Sequence, residues 1–531
     1  MNKNQAKVLA FLSVAVFALA FLLSGRLWFR VDMTRDNIFT ISEVSRNLHR
    51  EITDQVTITY FVSDRLVLAH PMPSSVADLL REYAAHSRGR VRVVQRDPVR
   101  ANLVRSVEEI GILPWQIPII ENNEPAVATV YSGILIEYLD RAAVIPLVFS
   151  LYTLEYDLSS RIRALVRNTP RELGVIVADA HLQWHTDFSL LNRELFMAGF
   201  NVRPIRPGER IPDTLPALFV FGGAEDLDEF DLYLIDRYIT GGGNVLFATN
   251  GVFVDSTGNL QARAMYDWGL FALLANYGVS LLNALVLDET ALNLTFQTSE
   301  GDGERIRTVR YPHWIAVQEH RGNPNHRVTS RFGGLDLYWA SPLDLIPPAG
   351  VSAEVLFLST HEAWLQTRDF VTDPERLVFF EEERSETQGT YVLGAALTGA
   401  FPSAFDSSLF DTPVLSRASR LIVVGNTDFA GDIMRISRSE ARNLDFLIRA
   451  AEWLSSYDDM LDIRGRENIG RLDRVSDPER RSAVMAFSMT LNTILIPLGV
   501  IITGFLIVCG RSRRARQTGT DLSRQREGDG R

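Results

Sequence analysis

The stretch DAHLQWHTD, Asp179 to Asp187, carries the densest set of chemically capable side chains in this sequence. His181 and His185 stand four residues apart with Asp179 and Asp187 outside them, so two neutral imidazoles and a carboxylate have the chemistry to hold a divalent metal. Trp184, between the histidines, offers a flat face on which a sugar or base could stack. The plainer alternative is a strand-to-helix loop whose polar residues cap the next helix. A lone HxxxH outside a helix is weak evidence for a metal, so neither metal nor cofactor is assigned. A second set, Gly425-Asn426-Thr427-Asp428, follows a strand-like run, and Asn426 and Asp428 would reach the same sheet edge. Together, Asp179, His181, Trp184, His185, Asp187, Asn426 and Asp428 make a candidate crevice for a small molecule or glycan. The alternative for Asp428 is a turn cap.

Other chemistry is excluded by composition. The one cysteine is Cys509, within an apolar run, and the only lysines are Lys3 and Lys7. The region between has no thiol nucleophile and no lysine for a phosphate-binding loop of the Walker type. A net charge of -11 argues against a nucleic-acid partner, which requires a basic face. No GxSxG elbow is present. His313, His320, His326 and the pair His361-Glu362 lack regular spacing and read as solvated loop residues. Gly241-Gly242-Gly243 reads as a helix cap and turn.

The elements that must position the crevice follow from periodicity and punctuation. Residues 170–298 alternate strands (Leu173–Ala178, Ala217–Phe221, Asn244–Thr249) with helices (Phe188–Ala198, Glu229–Ile239), which predicts a parallel sheet covered on both faces. The candidate residues would then lie at the carboxyl ends of the strands, where open α/β sheets bind ligands. Residues 299–350, polar and rich in glycine and proline, are expected to form a loop-rich insertion. In residues 351–458 three strand-like runs and a helix, Ala441–Leu454, should rejoin the sheet. Ahead of this lies a unit over 26–150, in which a capped helix to Leu48 precedes a β-α-β-α-β-β order with two strands in Ala126–Val148. Its outline is thioredoxin-like, but Ser63-Asp64-Arg65 stands where a redox CxxC would be. A helix in 151–169 links the two.

Two apolar runs bracket the globe. Residues 8–25 and 483–509 are each long enough to cross a bilayer as a helix, which takes roughly 20 apolar residues. The short N-terminus, 1–7, and the basic tail, 510–531 with Arg511, Arg513, Arg514 and Arg516, are placed in the cytoplasm by the positive-inside rule. The globe, with its juxtamembrane linker 459–482, then lies on the extracytoplasmic, periplasmic side of the inner membrane. Length and flanks favour an uncleaved first anchor. Asn492 and Pro497 in the second run are candidate docking residues for another membrane helix.

Several stretches resemble one family. VDMTRDNIFTIS (Val31–Ser42), DLLREY with VRVVQRDP (Asp78–Pro98), LEYDLSSRI (Leu154–Ile162), VVGNTDFAGD with RNLDFLIRAAEWL (Val423–Leu454) and the closing span are similar to the auxiliary extracytoplasmic components of ABC-2-type transport systems. That family is typified by the gliding-motility ABC-transporter auxiliary protein. The resemblance covers most of the chain without one specific motif. It implies a non-catalytic partner of an ABC permease and a separate ABC ATPase. The tips at Gly222-Gly223 and Thr249-Asn250-Gly251 resemble flavodoxin-like glutamine-amidotransferase relatives, whose catalytic cysteine is absent here. A membrane-anchored ligand-binding sensor or receptor is the alternative.

Overall fold

The computed structural model describes residues 41–456, apart from 122–123, 149–150, 170, 256–259, 268, 301–302, 376–380, 406–415 and 439. The chain divides into two compact units, Met1–Asn468 and Ile469–Arg531, and the second lies outside the described residues. So do both apolar runs, with Asn492 and Pro497. Among the described residues no helix is long and apolar enough to cross a membrane.

The structure is mixed α/β. The N-terminal module opens with α1 (Glu43–Glu51), β1 (Val56–Val62), α2 (Asp64–Ala69), α3 (Met72–Ala85), β2 (Val91–Arg96) and α4 (Val104–Glu109). Ser42 caps α1, its Oγ accepting from the Ser45 N–H, as a serine ahead of a helix should. Next come β3 (Trp115–Glu121), β4 (Glu124–Val130), β5 (Ser132–Tyr138) and β6 (Arg141–Ile145), closed by α5 (Leu151–Arg167). The sheet order is β2-β1-β5-β6, with β1 and β2 parallel and the rest antiparallel. Three strands fall between 124 and 145 where two were expected, because β4 pairs with β3 in a hairpin of its own. The prolines of WQIPIIE and EPAVATV did not prevent that pairing, since a two-stranded ribbon has only edges, where proline is tolerated.

The larger body begins with β7 (Glu172–Ala178), α6 (Trp184–Asp187), α7 (Ser189–Met197), β8 (Asn201–Pro204), β9 (Ala217–Gly222), α8 (Glu229–Thr240) and β10 (Asn244–Ala248). After the small pair β11 (Val252–Val254) and β12 (Ala262–Ala264) come α9 (Leu270–Tyr277), β13 (Val279–Leu281) and β14 (Leu285–Leu287). Strands β8-β7-β9-β10 are parallel and are extended by β22 (Ala418–Val424), also parallel to β10. The far side is antiparallel. There β18 (Leu343–Leu345), β19 (Val351–Leu358) and β21 (Val392–Ala400) join β13 and β22 in one nine-stranded sheet. The three late strand-like runs thus do rejoin the sheet.

Strand residues alternate between two cores. Phe219, Phe221, Leu246, Ile422 and Val424 face α7 and the last helix, α12 (Glu440–Leu454). Leu218, Val220, Val245, Phe247, Leu421 and Val423 face α8 and α9. Burial on both faces is why these strands read as continuous apolar runs, each large side chain contributing about 1.5–3 kcal/mol.

The expected loop region 299–350 is corrected. β15 (Ala291–Glu300) and β16 (Gly303–Val317) form a long hairpin, and β16 also pairs with β17 (Leu335–Tyr338). The polar residues along both strands hid this pairing in the sequence. His313 and His326 are buried, not solvated; His313 packs on Tyr311, and His326 packs edge-on to Trp453. The remaining elements are β20 (Trp364–Gln366), paired with β14, the helix α10 (Glu381–Thr387) and the short α11 (Met434–Ser437).

Candidate functional site

The chain leaves β7, runs to β8 on one side, then crosses back to β9 on the other. That reversal opens a crevice at the carboxyl ends of the strands. Gly222 makes the opening possible. Its φ is +79°, and a Cβ there would stand 2.5 Å from the Ala178 carbonyl oxygen, so only glycine fits.

A cleft of about 140 Å³ lies at this edge. Asp179 and His181 enter it from the end of β7, Asn250 and Phe253 from beyond β10, and Thr427 and Asp428 from beyond β22. Asp187, Phe188, Asp255 and Asp432 complete much of the wall. Thus Asp179, His181, Asp187 and Asp428, singled out from sequence, do converge across 250 residues of chain.

The other three do not line the cleft. Trp184 is buried, stacked 5.7 Å from Phe188 and 6.4 Å from Phe221 by ring centroids; it is a core residue and not a platform for a sugar. His185 is exposed on the one-turn helix α6 and is absent from the cleft wall. The two histidines therefore do not form a ligand pair, and among the described residues no group of three or more His, Cys, Asp or Glu could hold a metal. Asn426 is fully buried beneath the floor. Its Oδ1 accepts from the backbone N–H of Tyr338 and of Phe429, both at 3.1 Å, and its Nδ2 donates to the Tyr338 carbonyl. It fixes the loop that presents Asp428.

Each acid is held differently. Asp179 Oδ1 accepts from the His181 N–H at 2.8 Å, and Asp187 Oδ2 accepts from the Gln183 N–H at 2.8 Å, so both also cap local turns. Asp428 Oδ2 accepts from Asn250 Nδ2 at 3.0 Å and Asn426 Nδ2 at 3.3 Å. Burial pushes the Asp428 carboxyl up to about 6, the two amides opposing and the Asp179 charge adding to it. Asp179 is likewise raised, first by burial and then by Asp226 and Glu225, with the His181 N–H opposing. Asp432 accepts from the Leu190 N–H at 2.9 Å and from Arg435 at 3.1 Å.

Five aspartates and no arginine line the cleft. It disfavours anions and offers acceptors, plus the Phe253 ring, to a cationic or polyhydroxylated group. Asn250, Phe253, Asp255 and Asp432 were not legible as site residues. Asn250 had a strand-tip signal, but nothing local marks the others.

A family model described as ABC-type uncharacterized transport system matches residues 170–450, and one for a domain of unknown function matches 35–137. An uncharacterized protein of Borreliella burgdorferi is 25% identical over 522 residues, covering 97% of this chain and 99% of its own. Among solved structures, the mmIFT52 N-terminal domain is 12% identical, with 54% of this chain and 97% of that one covered at a TM-score of 0.32. A putative ThuA-like protein from Parabacteroides merdae is 11% identical over 54% and 91%, at 0.30. Both likenesses are loose. The family model spans more than half of the sequence and takes in every strand of the large sheet, so this chain belongs to the auxiliary-component family of ABC-type transport systems.

Proposed function

We propose that the protein is a non-catalytic, membrane-anchored coupling subunit of an ABC-2-type transporter of the gliding-motility-like kind. Its globe stands on the extracytoplasmic side of the inner membrane, and it works with a permease and a separately encoded ATPase. The family match carries this reading. The absence of any lysine after Lys7 agrees with it, because ATP chemistry must then reside in another chain. The apolar runs 8–25 and 483–509 supply the anchors, and Asn492 and Pro497 the docking face. Affinity purification of the full chain from native membranes in mild detergent should recover an ABC ATPase and a polytopic permease; recovery of neither refutes it. A reporter fused after Arg516 tests the topology, with activity in the cytoplasm expected.

The strand order β2-β1-β5-β6, with one parallel pair, supports a thioredoxin-like outline for the first module. The parallel run β8-β7-β9-β10-β22 supports a flavodoxin- or amidotransferase-like body. The acidic cleft favours a second reading, a sensor that binds a small cationic or polyhydroxylated molecule or glycan. A ligand that raises the melting temperature of wild type, but not of His181→Ala or Asp428→Asn, would support it; equal shifts in all three would remove it.

A further inference from the structure

The described globe is clamped at both of its ends by consecutive residues of one helix. The chain arrives from the N-terminal apolar run at Ile41-Ser42. The Ser42 N–H donates to Glu155 Oε1 at 2.7 Å, and Ser45 Oγ donates to the same oxygen at 2.6 Å. Ser45 Oγ also meets Ser159 Oγ at 2.8 Å, which in turn meets the Tyr83 hydroxyl at 2.9 Å. Ser42, Ser45, Glu155 and Ser159 are all buried. The chain leaves toward the C-terminal run from α12, and there the fully buried Glu452 accepts from the Tyr156 hydroxyl and from Arg171. Glu155 and Tyr156 both belong to α5.

The same helix reaches the crevice wall. Buried Arg161 of α5 donates from Nε to the Val144 carbonyl of β6 at 2.9 Å, and from an Nη to the Met197 carbonyl at the end of α7 at 2.5 Å. Helix α7 is nine residues long, about 13 Å at the usual rise. Its opposite end is tied to the cleft, where Asp432 accepts from Ser189 Oγ and from the Leu190 N–H. Buried carboxylates and guanidinium groups with hydrogen-bond partners in fixed geometry resist displacement, because a broken contact leaves a charge stranded away from water.

We propose that α5 is a coupling strut: it locks the arrival and departure points of the globe to each other through Glu155 and Tyr156, and ties both to the crevice through Arg161 and α7. Movement imposed on either membrane arm then reaches the other arm and the cleft. The proposal rests on the coupling-subunit reading for its use, though not for its geometry. Continuity in space becomes coupling only when the ends respond to one another.

The test uses the full chain with Cys509→Ser as background and spin labels at the exposed positions Glu43→Cys and Ser456→Cys, read by pulsed dipolar spectroscopy in nanodiscs. A narrow distance distribution is expected without further change. Glu155→Ala and Glu452→Ala should each broaden it, and Arg81→Ala, a surface pair on α3, should not. Should either alanine variant fail to fold, Ser45→Ala and Tyr156→Phe keep both carboxylates and remove only one hydroxyl donor from each, and should give intermediate widths. Unchanged widths in natively folded variants overturn the strut. In the purified transporter the variants should still co-purify with ATPase and permease while the auxiliary chain's effect on ATP hydrolysis is lost. An intact effect with a broadened distribution also overturns the proposal. Failure of the wild-type chain to co-purify would instead remove the coupling-subunit reading and leave the distance result standing.

Discussion

Replacing Asp428 with asparagine should stabilise the protein above pH 6 and do little below pH 4. Asp428 is partly buried, and its carboxyl is raised to about 6 by that burial, with Asp179 nearby adding to the effect. In the unfolded chain it titrates near 4. Between these values the folded state binds more protons than the unfolded state, so stability falls as pH rises through that window. Two pKa units correspond to about 3 kcal/mol, and access of solvent through the cleft reduces this to about 2 kcal/mol. The amide oxygen of Asp428→Asn can still accept from Asn250, and its neutral group carries no desolvation cost of charge. The measurement is the melting temperature of the full chain in detergent at pH 4, 5, 6 and 7.5, wild type against variant. The gap should open with rising pH to about 4 °C, at about 2 °C per kcal/mol for a large domain. Parallel curves, or a gap that opens toward acid, would refute the assignment of Asp428 as a carboxylate held against its charge.

Trp184→Ala should cost about 3–5 kcal/mol by leaving a cavity beside Phe188 and Phe221, visible as a lower denaturation midpoint. It should leave any ligand affinity of the surviving folded fraction unchanged. Gly222→Ala should destabilise by about 1–3 kcal/mol, from the left-handed backbone and the clash with Ala178; a neutral result would mean that the turn relaxes freely. His49 is buried edge-on to Tyr83, and burial lowers it to about 4. Its unfolded form binds protons first, so its contribution is lost as pH falls from about 6.5 toward 4. His49→Phe should flatten that part of the acid-unfolding profile. Arg171→Ala strands Glu452 and should cost about 3–5 kcal/mol, whereas Arg81→Ala, whose pair with Asp78 lies on the surface, should cost under about 1 kcal/mol.

The parallel core was legible because β7, β9, β10 and β22 bury both faces, so each appears as an uninterrupted apolar run between helices of clear period. Asp179 and Asp428 could be placed at one edge because topology alone fixes which end of a parallel strand a following loop occupies. Trp184 was misplaced for a related reason. Sequence shows that a tryptophan lies in a loop, but not whether a one-turn helix rotates its ring into the core beneath. The β15–β16 hairpin was missed because its outer part carries polar pairs such as Thr295 facing Thr308, whereas Tyr311, His313, Trp314 and Ile315 at its base are buried in succession, so neither part alternates as a half-buried strand would. Asn426 read as a crevice residue in the sequence, and Arg161 carried no signal of its own. Their roles depend on partners 88 and 36 residues away in the chain, distances at which no local pattern operates.

The acceptors around Arg161 have a further consequence for how this protein can diverge. Val144, Met197 and one of the two Asp157 oxygens are engaged through main-chain carbonyls, which every residue type possesses. Substitutions at 144 and 197 can therefore drift through any side chain that packs, without a matching change at 161. The reverse freedom does not exist, because a lysine lacks the fork that reaches two elements at once. A family built this way would keep one arginine in a helix while the strand and helix it joins lose all recognisable similarity.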